Sequence, residues 1–353
     1  MPLIDNFLNT ALEKKASDLH FLSGDPVRAR IHGNLQMITE ERLDTEMVSK
    51  CMTEIMDSAA QRQFEEHDAA DFAYEIPDVS RFRVNCFRHL NGIGAIFRAI
   101  PSKALTLDDL DMPKVIHELC LQTSGMILVT GKTGSGKSTT LAAMIDAMNK
   151  RLKGHILTIE DPVEFVHQPK GCLISQREIG VHSTSFSEAL HSALREDPDV
   201  ILVGEMRDLE TISVAITAAE MGILVMGTLH TNGAGQTVDR IVNSFPADKQ
   251  SHIRTMISTS LRGVVSQQLL PTKHKEGRVA ALEVLINTPA VSNLIRQGKL
   301  DQLETAMQSG GAMGMQTMDN ALDDLVGKGF ISGKNAYLQA NNKSKFERMK
   351  DEE

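Results

Sequence analysis

Residues 126–140 read Met-Ile-Leu-Val-Thr-Gly-Lys-Thr-Gly-Ser-Gly-Lys-Ser-Thr-Thr, and this stretch decides the fold. It holds G-x-x-x-x-G-K-[ST] from Gly131 to Ser138. A short apolar run, Met126 to Val129, precedes it, and a helix-favouring run, Leu141 to Met148, follows. A phosphate-binding loop requires that setting of strand, tight glycine turn and helix N-terminus. Glycines let the chain curl so that successive backbone N–H groups point at one anion. Gly131, Thr133, Gly134, Ser135, Gly136, Lys137, Ser138 and Thr139 are therefore the expected cradle for ATP. Lys137 is expected at the β- and γ-phosphates and the Ser138 hydroxyl at Mg²⁺.

Working outward, the chain of 353 residues is long enough for two domains. Its formal net charge of −9 argues against a general grip on nucleic acid. No apolar run approaches the ~20 residues that span a bilayer. The first residues, Met-Pro-Leu-Ile-Asp-Asn, lack the basic and apolar regions of a signal peptide, so a cytoplasmic location is expected. Cys51, Cys86, Cys120 and Cys172 are scattered with no C-x-x-C, which argues for buried thiols rather than a structural zinc site. Trp is absent and Met numbers 18, a composition that suits adaptable, moving contacts.

Residues 1–100 read as a small α+β domain. Helices are expected over Asp5 to Ala16 and Thr45 to Glu66. Strands are expected from Pro26 to Gly33, where apolar and polar residues alternate, and over Asp71 to Ile76, Ser80 to Arg88 and Gly92 to Ala99. Residues 101–122 read as a linker with a short helix. From 123 to 353 the pattern becomes α/β, with strands and helices alternating as in a parallel sheet covered on both faces. Strands are expected at 126–130, 156–160, 200–204 and 223–229. Ser185-Phe-Ser-Glu188 is a capping box that opens a helix to Leu194. Leu209 to Met221 forms the next helix, closed by Gly222. A long helix over 247–270, a strand over 278–286 and short helices over 289–350 follow. The heavily charged last dozen residues read as a solvated tail.

Three further segments carry chemistry. Asp199-Val-Ile-Leu-Val-Gly-Glu205 runs four apolar residues up to an acid, so a parallel sheet would bring Glu205 beside the phosphate loop to orient or deprotonate water. Glu160, in Ile159-Glu160-Asp161-Pro162-Val163-Glu164, stands at another strand end, where open α/β sheets bind ligands. It either holds the metal through water or assists the base, while Asp161 caps the loop. His230, in Thr228-Leu-His-Thr231, either senses the γ-phosphate or contacts a neighbouring subunit.

Four blocks together resemble the type II secretion and type IV pilus ATPase superfamily: Gly131–Thr139, Ile159–Glu164 with Val166-His167, Leu194–Asp208 and Gly227–Thr231. More narrowly the chain resembles the pilus-retraction ATPases of twitching motility, through Ser17-Asp-Leu-His20, Gly125, Arg81–Asn85, Phe97–Pro101, Asn293–Arg296 and Gly314–Thr317. The resemblance implies a homohexameric ring of subunits, each with a PAS-like N-terminal domain and a RecA-like P-loop ATPase domain. It implies Glu160 and Glu164 in an Asp box, Glu205 in Walker B and His230 in a His box. Arg83 and Arg98 match family arginines that reach into the nucleotide site, where a cation offsets transition-state charge. The family commonly has a second His-box histidine where this chain has Ile223, which should begin an apolar strand packed in the sheet. The retraction motors usually carry an arginine where this chain has Ser292. Gln267–Thr272 and Glu283–Pro289 look closer to an accessory retraction paralogue.

The implied activity is ATP hydrolysis coupled to removal of pilin from the pilus base. The implied partners are an inner-membrane platform protein and a paralogous retraction ATPase, with the ring peripheral at the inner membrane. The alternatives are the accessory paralogue, an assembly or type II secretion ATPase, and a nucleotide-binding regulatory ring. Assembly motors usually carry a tetracysteine module that is missing here. A pure scaffold need not keep Lys137, Glu160 and Glu205 together.

Overall fold

Among the residues that the computed structural model describes (2–31, 34–77, 79–100, 104–273 and 277–352), thirteen strands build two sheets. Contacts divide the chain into two units. The first reaches residue 103 and includes 164–166; the second holds 104–163 and 167–353.

The first unit carries β1 (Asp18–Leu22), β2 (Pro26–Ile31), β3 (Asn34–Arg42), β4 (Ala69–Ile76), β5 (Ser80–His89) and β6 (Gly92–Ile100). They pair antiparallel in the order β3-β2-β1-β6-β5-β4. The alternation expected from Pro26 onward is present: Val27 and Ala29 are buried, Arg28 and Arg30 only partly. His32 and Gly33, the end of that expected strand, lie outside the described residues. Phe21, Phe82, Val84 and Phe97 from the sheet pack with Leu8, Val48 and Met52 from the helices. The single helix expected over 45–66 is two, Thr45–Ile55 and Ser58–His67. Asp57 interrupts it, because its carboxylate accepts the Ala59 and Ala60 amides and so starts a new helix. β1 and β3 were not anticipated.

The second unit carries β7 (Gly125–Thr130), β8 (His155–Glu160), β9 (Leu173–Glu178), β10 (Val200–Val203), β11 (Leu224–Leu229), β12 (Leu261–Pro271) and β13 (Arg278–Ile286). Their order is β13-β12-β7-β11-β10-β8-β9, parallel throughout except where β13 runs antiparallel to β12. This is the expected α/β fold with a parallel sheet, closed at one edge by an antiparallel strand. Every residue of β7, β10 and β11 is buried, as strands covered on both faces must be. Side chains alternate between two cores. Leu128, Leu157 and Ile201 pack against Ile212 and Ala215 on one face, and Ile127, Val129 and Leu202 against Met144 and Ile145 on the other. Leu107, Met112, Val115 and Leu119, from the stretch expected to be a linker and short helix, are buried in this second core.

Three expectations are corrected. The long helix over 247–270 stops at Ser260, and Leu261–Pro271 is β12. β-branched Val264 and Val265 favour a strand, and Gly263 admits Leu119 so closely that a Cβ there would sit 3.0 Å from its side chain. At the Ser185 cap the hydroxyl accepts the Glu188 amide (3.2 Å), but the Glu188 carboxylate takes the Thr184 hydroxyl, so the capping box is closed from one side. The charged C-terminus is docked rather than solvated. Phe346 is fully buried with Met318, Leu322 and Ala336, while Lys343 donates to the Tyr337 and Leu338 carbonyls. One aromatic anchor thus holds a segment whose charges stay in water. β9 was not anticipated either. The four cysteines are buried free thiols as expected. Burial pushes Cys86 and Cys120 up to about 12, which removes them as nucleophiles. Among the described residues no helix is long and apolar enough to cross a membrane.

Candidate active site

β7 leads straight into the glycine loop, and the helix Lys137–Arg151 leaves it. Gly131, Gly134 and Gly136 have φ of +138°, +78° and +86°, in the region that side chains avoid. At Gly131 space forbids a side chain as well, since a Cβ would lie 2.3 Å from the Gln267 carbonyl oxygen. Lys137 is buried, and its Nζ donates to the Gly131 and Lys132 carbonyls at 2.9 and 3.2 Å. Ser138 and Thr139 are partly exposed at the first turn, while the Thr140 hydroxyl donates to Gln267 Oε1 at 2.7 Å. Ser135 Oγ and Thr130 Oγ1 are buried without a protein hydrogen bond. Unpaired buried hydroxyls are costly unless something satisfies them, so a loop that accepts phosphate and a hydrated cation suits these residues.

The strand order sets the rest of the site. Because β7, β11, β10 and β8 are adjacent and parallel, their C-terminal ends lie along one edge. β11 delivers His230, β10 delivers Glu205 through Gly204, and β8 ends on Glu160. Hydrogen bonds fix the Gly204 turn: its amide donates to the Ile159 carbonyl (2.7 Å), and its carbonyl accepts the Thr228 hydroxyl (2.5 Å). Glu205 Oε1 meets His230 Nε2 at 2.9 Å and also the Arg207 guanidinium. Glu160 Oε1 accepts the Thr158 hydroxyl at 2.7 Å and the Gln176 amide at 3.3 Å. Glu164 is exposed, on the loop that follows the cis Asp161-Pro162 bond.

Arg83 and Arg98 stand on the first unit, directly opposite one another in the β5–β6 register. Like charges in that position repel, and each is answered by an acid. Arg98 Nε binds Asp18 Oδ1 at 2.9 Å, and Arg83 Nε lies 3.9 Å from Asp71. Burial alone would raise the Asp18 carboxyl, but hydrogen bonds from Ser17 and Arg98 outweigh it and hold the carboxyl below its usual range. Both arginine side chains remain about half or more exposed, at 47% and 68%. That leaves their cationic faces accessible.

A family model described as type II/IV secretion system protein matches residues 1–332. The chain is 51% identical over 337 residues to the type IV pilus retraction ATPase PilT of Pseudomonas aeruginosa, which covers 96% of this chain and 98% of that protein. This chain belongs to the type II/IV secretion system family, in its pilus-retraction ATPase branch. It is 39% identical to the type IV pilus ATPase PilU of the same bacterium, over 96% of this chain and 88% of PilU. The crystal structure of the pilus retraction motor PilT with bound ADP matches at a TM-score of 0.92 and 42% identity, over 99% of this chain and all of that one.

In this secretion-system protein the two departures from the family pattern lie away from the C-terminal strand ends that carry Glu160, Glu205 and His230. Ile223 precedes β11 instead of beginning it and is only partly buried. Its carbonyl accepts the Gly125 amide at 3.1 Å, at the opposite end of the strand from His230. The Ser292 hydroxyl donates to the Ser258 carbonyl at 2.6 Å. Four residues around the site carry no role in the sequence pattern alone: Arg207, Gln267, Thr158 and Gln176. Arg207 lies two positions after Glu205, within an interaction's reach. Gln267-Gln268 interrupts the apolar run Val264 to Leu270, a signal for a buried polar contact.

Proposed function

We propose that this chain is the subunit of a homohexameric motor that hydrolyses ATP to power type IV pilus retraction, drawing pilin from the pilus base. The observation that carries the reading is the Glu205–His230 pair at the strand ends beside the glycine loop. The backbone N–H groups of 131–139 receive the phosphates, and Lys137 leaves its carbonyl partners for the β- and γ-phosphates. The Ser138 hydroxyl would hold Mg²⁺, which when bound would supply charge neutralisation at the phosphates. Glu205 orients the attacking water and takes its proton, while His230 on Oε1 fixes the carboxylate. Glu160 supplies further acid at the same edge, Glu164 belongs to the acidic loop that follows it, and Arg83 and Arg98 reach the nucleotide of an adjacent subunit. The ring works in the cytoplasm, peripheral at the inner membrane, against a platform protein and alongside a paralogous retraction ATPase. The higher identity to PilT than to PilU supports the principal motor.

Phosphate release tests the chemistry. Lys137→Ala is expected to abolish turnover. Glu205→Gln is expected to bind ATP and slow turnover by roughly 100-fold or more; near-normal turnover would remove the assignment of this acid. Deleting the gene and counting surface pili tests the direction of work. Excess, non-retracting pili are expected, and loss of pili would point to assembly.

A further inference from the structure

Glu160 is not held by the strand that ends on it alone. In the parallel β8–β9 register Thr158 stands opposite Gln176. Thr158 shares its face of β8 with Glu160, two residues on. Both partners of this cross-strand pair converge on one atom, Glu160 Oε1, with the Thr158 hydroxyl at 2.7 Å and the Gln176 amide nitrogen at 3.3 Å. The geometry leaves little choice of orientation. Thr158 is fully buried, so its hydroxyl must find an acceptor locally. Gln176 Oε1 accepts the His167 backbone N–H at 2.7 Å. A backbone N–H only donates, so the amide oxygen faces it and the NH₂ faces the carboxylate. Gln176 therefore acts as an adaptor: it takes a hydrogen bond from the acidic loop and gives one to Glu160. The next residue on the same face of β9, Glu178, accepts the Val163 N–H at 3.2 Å. Both ends of the 163–167 segment thus hang from one edge strand.

We infer that Thr158 and Gln176 are positioning residues for ATP hydrolysis, which aim the Glu160 carboxylate from the sheet edge. The inference rests on the proposed role of Glu160 in the reaction. Neither residue is proposed to touch the nucleotide. Their contribution is to remove rotational freedom from a carboxylate whose distance to its target decides its effect, since misplacement by about 1 Å can cost roughly 100-fold.

The test is steady-state ATP turnover of the full chain, with kcat and KM read separately and melting temperature alongside. Thr158→Val keeps the shape and deletes the hydroxyl; Thr158→Ser keeps the hydroxyl. Gln176→Met deletes both amide functions; Gln176→Glu keeps an acceptor for His167 and deletes the donor to Glu160. Thr158→Val and Gln176→Met are expected to lower kcat roughly 10- to 100-fold with KM changed less than about 2-fold. Thr158→Ser should recover most of the turnover, and Gln176→Glu should be no better than Gln176→Met. Wild-type kcat in Thr158→Val, or recovery in Gln176→Glu, overturns the inference. The Thr158 pair decides the matter even where Gln176→Met fails to fold. Glu160→Gln separates the two levels. If it turns over normally, the role of Glu160 itself is wrong. If it stops turnover while Thr158→Val and Gln176→Met do not slow it, only the positioning inference fails.

Discussion

His230 and Ile223 lie at opposite ends of β11, and different consequences are expected when each is replaced. His230 is 41% exposed and touches Glu205. An exposed contact of this kind adds little stability. His230→Ala should therefore melt close to wild type and lose turnover. Ile223 lies at the other end of β11, roughly 20 Å away at about 3.3 Å per residue. It is half-buried, so Ile223→Ala should cost about 1–2 kcal/mol, below the range for a fully buried isoleucine, and leave turnover unchanged. Parallel melts and rates decide between these roles; a His230→Ala protein that melts early yet hydrolyses normally would make the histidine structural. Glu283 is the other residue with a readable signature. Its Oε1 accepts the Ala234 amide at 2.7 Å at the start of the helix Ala234–Asn243. Burial pushes the carboxyl above its ordinary 4.5, against the pull of the Ala234 and Met318 amides. A raised folded-state pKa gives stability that is complete below the unfolded value and lost as pH rises through the folded one. Glu283→Gln keeps the Oε1 acceptor for Ala234, turns an NH₂ toward the Met318 N–H at a cost that does not vary with pH, and removes the titration. The variant should gain on wild type as pH is raised from about 4.5 to about 8; a constant difference in Tm across that range would refute the coupling.

β12 is the element that turns a loop into a site. It lies between β7 and β13 and passes beside the phosphate loop. Gln267 is 2% exposed, and its carbonyl oxygen limits Gly131 while its side chain takes the Thr140 hydroxyl. Gln267→Ala leaves that hydroxyl unpaired in a dry place, at about 1–3 kcal/mol. It should also weaken nucleotide affinity, because the first turn of the helix loses its buttress. Gln268 is the control: its Oε1 is buried without a partner, so Gln268→Ala should be neutral or stabilising. Calorimetric melts with and without ADP measure both effects. A Gln267→Ala protein with wild-type stability and affinity would show that the loop stands without β12.

At the scale of the whole molecule the arginine row is the feature with reach. Arg30, Asp18, Arg98 and Arg83 are successive cross-strand partners over β2, β1, β6 and β5. Asp18 and Asp71 answer the charges of this row, yet Arg83 and Arg98 stay 47% and 68% exposed, available to an anion outside the sheet. Arg83→Ala or Arg98→Ala should therefore lower hydrolysis while leaving Tm within a few degrees. If these residues act across a subunit boundary, mixing Arg83→Ala with Glu205→Ala subunits should restore part of the activity, because a composite site takes one sound half from each parent. Mixed rings no more active than either parent would argue against action between subunits.

What the sequence determined by itself is local chemistry. Eight residues with the right flanks specify the glycine loop, and an apolar run closed by an acid specifies a strand delivering Glu205. Buried central strands were legible because apolar runs between helices leave few alternatives. The fate of 261–271 was not legible. The helix-favouring run before it continues into Leu261 to Leu270, and the weak strand preference of Val264 and Val265 is decided by the slot between β7 and β13. The anchoring of Phe346 and the half-burial of Ile223 were decided in the same way, by what packs against each residue rather than by the residue itself, whereas the break at Asp57 is local capping by its own carboxylate. The convergence of Thr158 and Gln176 on Glu160 needed a register between β8 and β9, and register is a property of paired strands that no single strand carries in its own sequence.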